Sequence, residues 1–224
     1  MSWLFLFAGL FAVLNWYAVT VINKKLEYIA KPTTLVLLTL AYATQLPLPP
    51  TWWQIAFGIG LLFSLGGDVF LMLPGDHFVP GLLSFLLAQI AYVIAFNRAG
   101  VQLSVATILM AVAIGLITVP VIGSIVSALR QAGRKRLVIP VIVYGFFLAL
   151  MFWSAASTLY RPGWTRLQAG LAAFGGAAFF LSDSILAWDR FVHPIKRARL
   201  LTMFTYHLAQ FALTFGVLLH WGML

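Results

Sequence analysis

The chain has 224 residues, of which 62% are apolar and only 8% charged. With a mean hydropathy of +1.00 it cannot be an ordinary soluble domain, where about a quarter of the residues carry charge. The net charge of +9 does not point to a nucleic-acid partner, because the basic residues lie between apolar runs and not along one stripe or helix face. There is no cysteine, so disulfides and thiolate metal centres are excluded and the redox compartment stays open.

A bilayer span needs roughly 20 apolar residues, and the sequence divides into eight such runs, near 3–22, 32–46, 52–73, 79–96, 101–125, 137–159, 166–188 and 200–220. The expected fold is all-α, a polytopic membrane bundle of eight transmembrane helices forming a single domain over residues 1–224. The first run lacks a basic leader and a small-residue cleavage signal, so it reads as a retained helix. The second is short, opened by Lys31-Pro32 and closed by Pro47, Pro49 and Pro50, since proline suits a first turn and stops a later one. No linker or low-complexity segment appears.

Eleven of the 14 basic residues fall in alternate connections, around Lys24 to Lys31, Arg130 to Arg136 and Arg190 to Arg199, and the opposite side has only Arg98, Arg161 and Arg166. The positive-inside rule then places both termini outside and the basic loops in the cytoplasm. Trp52, Trp53, Trp164, Trp188 and Trp221 fall near helix ends, as an interfacial belt would.

Two of the five acids lie inside apolar runs: Asp68 in Ser64-Leu65-Gly66-Gly67-Asp68, and Asp183 in Leu181-Ser182-Asp183-Ser184. Charge inside a bilayer costs several kcal/mol, so such acids face a partner, a cavity or a substrate. Each sits about five residues from the predicted cytoplasmic end of its helix, within roughly 10 Å of one membrane face. Counting the same way brings Asn15, Tyr144, Tyr206, His207 and Gln210 to similar depth, with Lys31 at the cytoplasmic mouth as a candidate for a lipid phosphate. Glycine and serine cluster around both acids, which favours close helix packing. Gly67-Asp68-x-x-Leu71 and Ser182-Asp183-x-x-Leu186 are also alike, a weak hint of two four-helix halves.

One intramembrane acid alone is often structural glue. Two at matched depth, with no basic residue in the core of any predicted helix, favour a working pair, one as acid and one as base. A catalytic zinc needs three protein ligands; His77 and His193 fall in loops and His220 at an outer end, so His207 stands alone and no metal is expected. Ser64, Ser182 and Ser184 lack the Gly-x-Ser-x-Gly elbow of a nucleophile and read as packing hydroxyls. A small proton-coupled transporter using the two acids as a relay is the alternative reading.

The chain resembles the YhhN-like lysoplasmalogenase family of membrane proteins. The resemblance rests on Lys31-Pro32-Thr33-Thr34, the segment Ser64 to Met72, the segment Phe85 to Tyr92, Ser182 to Ala187, and Thr205-Tyr206-His207-Leu208-Ala209-Gln210, all in the family's order. One departure is Gln89, where the family pattern leads one to expect a histidine ahead of Tyr92. The resemblance implies an eight-helix hydrolase that cleaves the vinyl ether of lysoplasmalogens to a fatty aldehyde and glycerophosphocholine or glycerophosphoethanolamine. Asp68 and Asp183 would be catalytic, and Lys31, Asn15, Ser64, Gln89, Tyr92, Tyr144, Ser182, Tyr206, His207 and Gln210 would bind substrate. It implies no cofactor and no partner beyond a lysophospholipid substrate and membrane lipid. The expected location is a bacterial inner membrane, with the active site toward the cytoplasmic leaflet.

Overall fold

The computed structural model describes residues 3–223. Among them are eight α-helices and no strand: α1 (Trp3–Thr20), α2 (Lys24–Ala43), α3 (Trp52–Met72), α4 (Phe78–Phe96), α5 (Val105–Gln131), α6 (Val138–Ala156), α7 (Arg166–Phe191) and α8 (Ala198–His220). Seven are long and apolar enough to cross a membrane; α2, which carries Lys24, Lys25, Glu27 and Lys31, is not among them. Large apolar side chains such as Leu10 on α1, Leu62 on α3 and Leu116 on α5 are exposed, as an integral membrane protein requires of surfaces that meet lipid.

Two helices differ most from the predicted runs. α2 begins at Lys24, eight residues earlier than expected, because the Asn23 side chain accepts a hydrogen bond from Leu26 N–H and caps its first turn. Pro32 therefore lies inside the helix and not at its start, and the carbonyl one turn before it loses its helical donor. α5 runs on to Gln131; the polar Ser127, Arg130 and Gln131 end the apolar run without ending the helix, which stops at Gly133 in left-handed backbone.

The chain forms two compact units. The first comprises residues up to Arg98 together with those from Thr214 onward. In it α3 and α4 pack face to face and antiparallel: a Cβ on Gly60 would strike the Tyr92 ring, and one on Gly67 the Phe85 ring. The Ser84 hydroxyl donates to the Phe63 carbonyl at 2.7 Å across the same interface. α2 runs antiparallel to α3, held at one end by the Tyr42 hydroxyl, which donates to the Gln54 carbonyl at 2.6 Å. The end of α8 packs against this unit through Phe215 on Phe5 and Trp221 on Phe57. There Arg98 donates to His220 at 3.2 Å and stacks over Trp53.

The second unit spans Ala99 to Leu213. Ser104 and Thr165 open α5 and α7 with reciprocal caps to Thr107 and Gln168. The Trp153 indole donates to the Thr107 carbonyl at 2.8 Å, tying α6 to the start of α5. At the opposite end Ile125, Leu129, Val138 and Val141 form an apolar core, with Leu137, Phe191 and Val192 packed on it. The α5–α6 and α7–α8 connections thus lie side by side.

Candidate functional site

All twelve polar residues singled out from the sequence are buried. In the first unit Asp68 is 1% exposed and Lys31 5%. The Lys31 ammonium lies 3.2 Å from the Asp68 carboxylate and 3.4 Å from its main-chain carbonyl. This overturns the expectation that no basic residue lies in the core of a helix. Because α2 starts early, Lys31 is its eighth residue, about 10 Å along the helix, and its ammonium meets an acid inside the protein instead of standing at a mouth.

One turn back along α3, the Ser64 and Tyr92 hydroxyls approach to 3.4 Å. Phe85 and Tyr92 both face α3, and Gln89, four and three residues from them, shares that face. Gln89 and Asn15 are fully buried, and neither carboxamide has a hydrogen-bond partner among the described residues. Sequence reasoning put polar groups at this level, but not the fact that two of them are left unsatisfied.

In the second unit the Tyr144 hydroxyl donates to the Asp183 carboxylate. α7 and α8 run antiparallel here: the Ser182 hydroxyl donates to the Thr202 carbonyl at 3.1 Å, and Phe179 meets the edge of Tyr206 at 5.5 Å. The Tyr206 and His207 rings are 5.7 Å apart, and Gln210 follows Tyr206 by one turn on the same face. Since α7 extends to Phe191, Asp183 lies eight residues from the end of its helix, about 12 Å, against about 6 Å for Asp68 on α3. Thr202 was missed, because a carbonyl acceptor leaves no mark in sequence.

Chemically, the first cluster offers a carboxylate with an ammonium and the unengaged Gln89 amide, and the second a carboxylate oriented by a phenol. Each suits proton transfer or the binding of a polar group. Among the described residues, no three His, Cys, Asp or Glu side chains gather as a metal ion would need.

A family model described as the YhhN family matches residues 26–217. The chain is 34% identical over 158 residues to lysoplasmalogenase TMEM86B of Homo sapiens, covering 70% of this chain and 61% of that protein. It is 32% identical over 160 residues to TMEM86B of Rattus norvegicus, covering 70% and 59%. To lysoplasmalogenase TMEM86A of Homo sapiens it is 32% identical over 158 residues, covering 68% and 60%. It thus spans about three fifths of the length of these relatives. No solved structure matches it.

Proposed function

From the premise that the chain belongs to the YhhN family, we propose that it hydrolyses the vinyl ether bond of lysoplasmalogens within the membrane. The observation that carries this reading is the likeness to proteins named lysoplasmalogenase, beside a family match over residues 26–217 that includes both buried acids. Vinyl ether hydrolysis begins with protonation of the alkene carbon remote from oxygen. The oxocarbenium ion so formed is captured at its other carbon by water, which gives its proton to a base. The hemiacetal then collapses to a fatty aldehyde and a glycerol hydroxyl. The chemistry asks for an acid, a base and negative charge beside the cation, as glycoside hydrolysis does.

Asp68 and Asp183 are the proposed acid–base residues. The ion pair with Lys31 supports Asp68 as the base, and Tyr144 is the positioning residue for Asp183. Asn15, Lys31, Ser64, Gln89 and Tyr92 in the first unit, and Tyr144, Ser182, Tyr206, His207 and Gln210 in the second, are proposed to hold the lysolipid. We read α2 as an eighth span, both termini as external, and the site as open to the cytoplasmic leaflet of a bacterial inner membrane; the loop charge asymmetry supports this orientation.

The test is aldehyde release from choline and ethanolamine lysoplasmalogens by detergent-purified protein, compared with Asp68→Asn and Asp183→Asn variants of matched folding. We expect turnover by the wild type without any proton gradient, and losses of at least about a hundredfold in each variant, the scale of general acid–base catalysis. A well-folded wild type that releases no aldehyde would remove the proposal. Full activity in either variant would remove that aspartate from the mechanism.

A further inference from the structure

The second unit carries a groove whose walls include neither acid. Its main part lies between α5 and α6, with a volume of about 700 Å³, and its walls include Ile114, Val119, Ile122, Phe146, Leu150 and Trp153. On α5 it extends from Ala111 to Val126, about 22 Å at 1.5 Å per residue. Half of a 30 Å hydrocarbon core is about 15 Å, so the groove is long enough for an acyl chain. Gly115 and Gly123 face it with nothing within 4 Å of where a Cβ would stand.

At Gly123 the groove meets a second cavity of about 630 Å³, and the chemistry changes: its walls include Ser124, Ser127 and Gln131, closed by Val192. Past this polar step stand Arg130, Arg134, Lys135 and Arg136 from one connection and Arg190, Lys196 and Arg197 from the other, all exposed. The core at Leu129, Val138, Phe191 and Val192 holds the two connections side by side. Asp189 is the acid among them, and its carboxylate accepts the Ile195 N–H at 2.8 Å.

We infer that this groove is a binding site for an anionic phospholipid. The order along α5 is apolar trench, then hydroxyls and an amide, then cations, which matches acyl chain, ester linkage and phosphate. The excess of guanidinium and ammonium groups selects a head group of net negative charge over a zwitterionic one. None of these residues belongs to the proposed catalytic or substrate-binding set, so this site stands whether or not the hydrolase reading does.

The experiment is native mass spectrometry of the purified protein in mild detergent, titrated with dioleoylphosphatidylglycerol or dioleoylphosphatidylcholine. The wild type should bind phosphatidylglycerol at least about tenfold more tightly, given the attraction of each nearby cation for anionic lipid. The double variant Gly115→Leu/Gly123→Leu fills the trench where there is room, and leucine favours helix over glycine. It should keep its thermal stability and lose phosphatidylglycerol binding by about tenfold or more. Arg134→Ala/Lys135→Ala/Arg136→Ala should reduce phosphatidylglycerol to the phosphatidylcholine level. Equal binding of both lipids by the wild type, or undiminished phosphatidylglycerol binding by the leucine variant, overturns the inference.

Discussion

Burying a carboxamide without a partner costs roughly 1–3 kcal/mol per unsatisfied group, and the first unit does so at Asn15 and again at Gln89. A protein that needed these residues only for packing would gain by replacing them with leucine. Retaining them makes sense where a ligand's polar atoms complete their hydrogen bonds, a common exchange of stability for function. We therefore expect Gln89→Leu and Asn15→Leu each to stabilise the detergent-solubilised protein by about 1 kcal/mol, while lowering aldehyde release. Unchanged turnover beside raised stability would leave both amides outside the site. At this scale the sequence was informative about identity and silent about pairing. Asp68, Asp183 and Asn15 stood out because polar groups are costly in apolar runs, and Gln89 through the family resemblance, whereas the Lys31–Asp68 contact joins residues 37 apart and depends on how α2 and α3 lie together.

That contact is also what makes helices α2 and α3 a matched pair. Lys31 and Asp68 hold the interface near one end and Tyr42 with Gln54 hold it near the other. Removing one member strands the other as a buried charge, so Lys31→Met should destabilise the protein by about 3 kcal/mol. Lys31→Met/Asp68→Leu should recover most of that loss while remaining inactive. Thermal unfolding of the four proteins, read as a double-mutant cycle, tests this; additive losses would mean the ion pair contributes no coupling. Helix existence was legible from the apolar runs, since all eight correspond to helices among the described residues. Helix ends were not. Lys24, Lys25 and Glu27 look like loop residues until Asn23 is recognised as a cap, and the polar tail of α5 looks like a connection until its helical hydrogen bonds are counted.

For the molecule as a whole, orientation rests on the uneven distribution of basic residues over the connections. The absence of cysteine makes this directly measurable with single-cysteine variants. Arg136→Cys and Arg197→Cys should be shielded from a membrane-impermeant thiol reagent in intact cells, and Arg98→Cys and Met223→Cys should react. Labelling of Arg136→Cys and Arg197→Cys with the other two shielded would reverse the proposed topology, and labelling of all four would dissolve it. The ion pair inside α2 and α3 bears on this scale too, through the order in which the chain is made. A lysine near the middle of an inserting helix costs roughly 2.5–3.5 kcal/mol, and α2 is not apolar enough to enter by composition alone. Lys31 leaves the ribosome before the residue that neutralises it. During biogenesis α2 should therefore wait at the translocon and pass into lipid together with α3, so that a nascent chain ending after Leu46 leaves α2 uninserted and one ending after Met72 does not.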